Sequence, residues 1–187
     1  DVYQEGLRIP PIRLCKEGTL CEDVMEIIAM NSRYHTMMKG DLNACIAACY
    51  TGETRMNELF DRYGTQVMEE SAKEIFRQSE EIDRQAVQNI PDGVYEAEGC
   101  LDNDGQTEEP RLLKVKVVIQ GDRMKIDLSG SAKMGKGPIN CGRAQTIAAC
   151  RVGYKQMINP KSQVSGGTFQ NLDVVVEEGT FLAAEEP

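Results

Sequence analysis

The chain has a single histidine, His35, and nothing at short spacing completes a Cys–His or Ser–His–Asp arrangement around it. His35 is expected to be an exposed residue at a helix start. The seven cysteines (Cys15, Cys21, Cys45, Cys49, Cys100, Cys141 and Cys150) are odd in number, and no two stand in C-x-x-C spacing. Without a secretory leader, reduced thiols in a cytoplasmic protein are the better reading. No apolar run approaches the roughly 20 residues that span a bilayer. Asp1-Val2-Tyr3-Gln4-Glu5 carries neither a basic nor an apolar leader region. The chain lacks an initiating Met, so a processed chain or a piece of something longer is expected. Basic residues are outnumbered, 21 Lys+Arg against 30 Asp+Glu, for a net charge of -9. That charge opposes non-specific binding to nucleic acid or to anionic membrane.

What is present is patterning. Glu22 to Met30 reads as a short helix with Val24, Ile27 and Ile28 as its apolar positions. A helical region follows from about His35 to Asn89. Leu42, Cys45, Ile46 and Cys49 make one apolar face. Cys45 and Cys49 share that face and read as two small buried hydrophobes rather than as half of a four-ligand metal site. Thr51-Gly52 is expected to break the helix, and Thr54 to cap a second one with Met56, Leu59, Phe60 and Tyr63 inward. Gly64 stops that helix and Thr65 starts a third. In the third, Met68, Ala72, Ile75, Ser79, Ile82 and Ala86 alternate in steps of four and three, a heptad seam that suggests an antiparallel helical hairpin.

Pro91-Asp92-Gly93 marks a change of character. Val94–Leu101 reads as a strand, and Asp102-Asn103-Asp104-Gly105 as a polar hairpin turn, since Leu113 stands where a calcium loop requires Glu. Leu113, Val115, Val117 and Ile119, then Met124, Ile126 and Leu128, alternate about Gly121-Asp122 as a β-hairpin. A helix from about Gly142 to Ile158 has Ile147, Cys150, Tyr154 and Met157 on its inner side, and Leu172–Val176 is a last strand. The expected fold is α+β: a helical hairpin region over residues 1–90, then a mixed region over 91–187 with an antiparallel hairpin, a Gly-rich turn and a packed helix.

The turn is the candidate site. Gly130-Ser131-Ala132-Lys133-Met134-Gly135-Lys136-Gly137 has the G-x-x-x-x-G-K spacing of a phosphate-binding loop. Gly137 stands where Ser or Thr would hold Mg²⁺, and Pro138 falls where the helix should already be under way. A polar-ligand site is the alternative, with Ser129, Gly130, Ser131, Gly137 and Asn140 as substrate-binding candidates and Asn140 as the N-cap of the next helix. A plain connector without ligand is equally compatible with the pattern.

Several segments together resemble the hydantoinase B/oxoprolinase family: Val2–Pro11; Gly40-Asp41-Leu42-Asn43-Ala44-Cys45-Ile46-Ala47-Ala48 with Gly52 and Arg55; Tyr63-Gly64; Pro91-Asp92-Gly93-x-Tyr95; Asp102-x-Asp104-Gly105; and Asp127-Leu128-Ser129-Gly130-Ser131 leading to Gly137-Pro138-Ile139-Asn140. The resemblance spans nearly the whole chain and implies an internal segment of one larger family domain. It further implies a cytoplasmic hetero-oligomer with a hydantoinase A-type partner, which opens cyclic amides such as hydantoins or 5-oxoproline. ATP and a divalent metal would serve the complete complex and not be bound by this chain alone. Alternatives are a subunit of an ATP-dependent ketone carboxylase (acetone or acetophenone type) and a non-catalytic assembly module. The chain departs from the family pattern at Cys45 and Met134, where Gln is usual, at Ser165-Gly166-Gly167 for Asn-Ala-Gly, at Asn171 for Pro, and at Ala183-Ala184 for Asn-Pro. Cys and Met replace amide hydrogen-bonding groups only weakly.

Overall fold

A computed structural model describes residues 9–184. The Val2–Pro11 motif therefore lies mostly outside the described residues. The fold is α+β, and the chain divides into two compact units after Glu69.

The first unit opens with a small hairpin that the sequence reading missed. Strands β1 (Cys15–Lys16) and β2 (Thr19–Leu20) pair antiparallel. Glu17 and Gly18, both at positive φ (51° and 79°), form the two-residue turn whose twist suits adjacent strands. Helix α1 is Glu22–Met30, as expected, but Met25 and Ala29 are its buried residues while Ile27 is exposed. Asn31 Nδ2 donates to the Ile27 carbonyl at 2.7 Å and satisfies one orphan acceptor at the helix end.

Helix α2 runs unbroken from His35 to Tyr63. His35 is exposed at its start. The expected break at Thr51-Gly52 does not occur. Thr51 and Thr54 donate their hydroxyls to the carbonyls of Ala47 and Tyr50, so Thr54 sits within the helix instead of capping a new one. Met56, Leu59 and Tyr63 are exposed. Cys45 and Cys49 are also exposed, contrary to the buried reading. With Cys15, Leu14 and Leu42 they line a cleft under the β1–β2 turn, whose Gly18 carbonyl accepts from Tyr50 Oη at 2.8 Å. Gly64, at φ 77°, ends the helix as its sequence signal requires.

Helix α3 spans Thr65–Gln88. Its buried residues are Asp83 and Val87, not the heptad positions, for Ile75 and Ile82 remain 54% and 46% exposed. The core-facing stripe thus lies beside the seam that periodicity suggested.

The second unit is built on a four-stranded mixed sheet in the order β3 (Gly93–Leu101), β4 (Arg111–Gln120), β5 (Arg123–Asp127), β6 (Leu172–Val175). The first three strands are antiparallel. On one face of the β3–β4 pair, Glu96 and Glu98 stand directly opposite Lys116 and Lys114. Strand β6 is parallel to β5, with Met124 opposite Leu172 and Ile126 opposite Val174. A parallel neighbour demands a long crossover, and helix α4 (Arg143–Ile158) lies within it. The core joins Val87 of α3, Ile119, Met124, Ile126 and Leu128 of the hairpin, Tyr154 of α4, and Val176 and Ala183 of the closing segment. Ile147 and Cys150 pack against it as expected, whereas Met157 is 58% exposed and Ile158 takes the inner position.

Replacing Met124, 1% exposed, by Ala should cost about 2–5 kcal/mol in denaturant unfolding. Ile75→Ala on the exposed seam of the same chain should change stability by no more than about 0.5 kcal/mol. The opposite ranking would contradict this placement of the core.

Candidate functional site

The turn from Ser129 to Cys141 joins β5 to α4 and is bound on three sides by its own chain. At its entry, the amide and hydroxyl of Ser129 donate to Asp127, and these bonds hold the Asp127 carboxyl below its usual range. Gly130, at φ 80°, donates its amide to Glu177 Oε2 at 3.0 Å, and Lys133 Nζ lies 3.0 Å from Glu177 Oε1. That amide bond first, and the lysine second, keep the Glu177 carboxyl low. Ser131 is buried: its hydroxyl donates to the Leu128 carbonyl at 2.8 Å and accepts from the Lys114 amide at 3.0 Å. Ala132 then bridges β4 and the closing segment, its amide donating to the Leu112 carbonyl and its carbonyl accepting from the Phe181 amide.

The second half of the turn closes on Asp104. This residue is fully buried in the β3–β4 connection. Its Oδ1 accepts from the amides of Gln106 (2.9 Å) and Thr107 (2.6 Å) and from the Thr107 hydroxyl. Its Oδ2 accepts from Arg111 Nη2 at 2.9 Å and, across the loop, from the Lys136 amide at 3.0 Å. Burial pushes the carboxyl up, but the amides of Thr107, Gln106 and Lys136 overcome it and set the group well below the carboxylate range. Gly137 packs directly on this residue: a Cβ there would lie 1.6 Å from the Asp104 carbonyl oxygen. Asp102-Asn103-Asp104-Gly105 is thus a turn whose carboxylate is satisfied by its own chain.

Asn140 does not cap α4. The cap position is Gly142, without a side-chain cap bond. The Asn140 side chain faces back into the turn, accepting from the Gly135 amide at 2.9 Å and donating to the Gly135 carbonyl at 2.9 Å. The reason is local: Asn140 stands two positions before the cap, with Cys141 between, and the amide's reciprocal pairing with Gly135 uses both of its functions. Of the five candidates, Ser131, Gly137 and Asn140 hold the turn from within, while Ser129 and Gly130 are on its exposed rim.

The same bonds decide what the turn can hold. A phosphate cradle requires several free amides. Here those of Gly130, Met134, Gly135 and Lys136 already donate to Glu177, Gly179, Asn140 and Asp104. Two of these acceptors are carboxylates, which would repel a phosphate. The turn does not fit ATP. Among the described residues no group of three His, Cys, Asp or Glu side chains could hold a metal ion. The sequence reading missed Asp104, Arg111 and Glu177 as the braces of the turn. The D-x-D-G pattern was visible, but its partner 32 residues later was not.

The sequence model of the hydantoinase B/oxoprolinase family matches residues 1–187. The chain belongs to this family. It is 28% identical over 188 residues to the caprolactamase subunit beta of Pseudomonas jessenii, covering 100% of this chain and 32% of that protein. The crystal structure of the ATP-dependent caprolactamase from that organism superposes with a TM-score of 0.90 at 29% identity, covering 100% of this chain and 32% of the other. The acetophenone carboxylase delta subunit of Aromatoleum aromaticum is 26% identical over 185 residues, 98% of this chain and 27% of that subunit. The chain therefore spans a third or less of these family members.

Asn140→Ala should lower unfolding stability by about 1–3 kcal/mol, because it leaves the Gly135 amide and carbonyl without partners. The helical circular dichroism should be unchanged, which a lost helix cap would not allow. Gly137→Ala should cost about 3 kcal/mol or more, since backbone must move. Gly153→Ala, in open space on α4, should stabilise by about 0.5–1 kcal/mol. For pH, the folded Asp104 carboxyl lies below its unfolded value of about 3.9. Its contribution is complete above that value and is lost as pH falls through the folded one. Asp104→Asn should therefore flatten the acid limb of the stability curve below about pH 4.

Proposed function

We propose that this chain is a segment of an ATP-dependent cyclic-amide hydrolase, cytoplasmic and hetero-oligomeric, that works with a hydantoinase A-type subunit to open a hydantoin, 5-oxoproline or a related lactam. The observation that carries this reading is the match along the entire chain to the ATP-dependent caprolactamase, in sequence and in fold. In this reading residues 1–90 and 91–187 belong to one larger family domain. ATP and a divalent metal act elsewhere in the complex, which accords with a turn whose amides are already engaged.

The turn would serve as a preformed wall of the substrate chamber. Ser129 and Gly130, on the exposed rim, would meet the small-molecule substrate. Ser131, Gly137 and Asn140 would hold that rim in place. Preorganisation of this kind favours one bound geometry because no ordering of the loop accompanies binding. Exposed apolar side chains on α2 and α3 (Met56, Leu59, Ile75 and Ile82) support association with the remaining parts of the chain or with the partner. Neither nucleic acid nor membrane is assigned as a partner.

A second reading, a ketone carboxylase subunit, is favoured by the similarity to the acetophenone carboxylase delta subunit. A non-catalytic assembly module is the third, supported by those same exposed side chains. One experiment separates them: purify the native complex and measure ATP hydrolysis. Hydrolysis should require a cyclic amide. Dependence on a ketone plus bicarbonate would select the carboxylase instead, and a complex whose turnover survives removal of this chain would leave only the assembly role. Turnover by the isolated chain would overturn the shared-chamber reading.

A further inference from the structure

Between α4 and the segment 161–171 lie two adjoining hollows of about 400 and 520 Å³ that share Arg151, Val164 and Phe169. The polypeptide is built around Phe169 at some cost. Phe169 adopts φ 72°, a left-handed conformation that a bulky residue rarely takes and that needs support from its surroundings. That support is extensive. The buried carboxylate of Asp83 accepts the Phe169 amide. Gly167 lies so close to α3 that a Cβ would sit 1.8 Å from the Phe76 carbonyl oxygen. The Ser165 and Ser79 hydroxyls bond at 2.8 Å. Fully buried Asn171 accepts from Tyr154 Oη at 2.7 Å and donates to the Asp122 carbonyl at 2.8 Å.

The outcome of this arrangement is the placement of one ring. Phe169 lies against buried Tyr154, with centroids 5.8 Å apart and planes inclined by 59°. The Arg151 guanidinium stands over the same ring, 5.4 Å from its centroid. Arg151 has no carboxylate partner among the described residues. Of the neighbouring charges, Asp173 pairs with Arg123 at 3.0 Å, while Lys155, also on the groove, bonds the neutral Ser162 hydroxyl and adds a second positive charge beside the guanidinium. Beside the guanidinium, Ile147, Ala148, Val152 and Val164 give the groove apolar walls.

We propose that this groove is a binding site for an aliphatic carboxylate, with the Phe169-stacked guanidinium of Arg151 receiving the carboxylate and the α4 side of the groove receiving the hydrocarbon chain. A guanidinium pairs with a carboxylate through two parallel N–H donors, and stacking on a ring orients that fork. The net charge of -9 repels anions at long range, so recognition here is a short-range matter of the fork and the apolar walls. The inference is independent of the ring-opening reaction. It rests on the strained support of Phe169, the unpaired cation and the two-part lining.

Titration calorimetry of the 187-residue chain with hexanoate tests it, with hexan-1-ol and inorganic phosphate as controls. Hexanoate should bind in the millimolar range or tighter, and both controls at least about tenfold more weakly. Arg151→Gln should weaken hexanoate by about tenfold or more, with circular dichroism unchanged because Arg151 is exposed. Val152→Asp, also on an exposed position, should weaken it by placing a like charge and a polar wall in the groove. No heat from hexanoate, equal binding by the Arg151→Gln variant, or equal affinity for phosphate would each overturn the proposal.

Discussion

The second unit depends on a buried carboxylate that never reaches water. An aspartate removed from solvent without compensation is strongly unfavourable. Asp104 is compensated by three amides, a hydroxyl and the Arg111 guanidinium, drawn from its own connection and from the turn 32 residues later. One group therefore fixes two loops to each other. The contact is close enough that only glycine fits at position 137. Rigidity and chemistry trade against each other here. Every amide drawn into bracing the turn is one that cannot bind a ligand, so a loop with the spacing of a phosphate cradle has no free cradle.

The topology explains why the turn stands where it does. β5 has β4 on one side and β6, parallel, on the other. The chain leaving β5 must cross over to return alongside it, and the turn is the first part of that crossover. The closing segment then returns past the turn, with Phe181 bonding Ala132 and Cys141 on successive sides. The far end of the same crossover is the segment around Phe169, held against α3. Both ends are thus fixed to elements distant in sequence, and α4 between them carries Tyr154 into the core.

Much of this was legible in the residues. Alternation about Gly121-Asp122 gave the hairpin, Pro91-Asp92-Gly93 the onset of the sheet, and Gly64 the end of α2. These are local signals, in which backbone preference and burial agree. The failures share another cause. Thr51-Gly52 carries breaker residues, yet hydroxyl bonds to preceding carbonyls and the helix on both sides carry the chain through. Asn140 has a capping residue's chemistry, but a partner five residues earlier claims it. The β1–β2 hairpin has only two residues in each strand, too few for alternation to reveal it. The braces of the candidate site were invisible because Asp104 and Lys136, or Gly130 and Glu177, meet only after the chain has folded.

The heptad seam of α3 is a different kind of discrepancy. Its period is regular, but Ile75 and Ile82 are exposed while Asp83 and Val87 are buried beside them. The apolar stripe and the buried stripe of this helix therefore diverge. Hydrophobic periodicity records the burial a helix meets in its complete setting, not the burial within any chosen stretch. α2 has 29 residues and none buried among those described, although helices in proteins draw most of their stability from packing. The chain spans 32% of the caprolactamase beta subunit it matches. The seam and the buried stripe are thus two distinct faces of one helix, and periodicity alone does not say which of them the sheet takes.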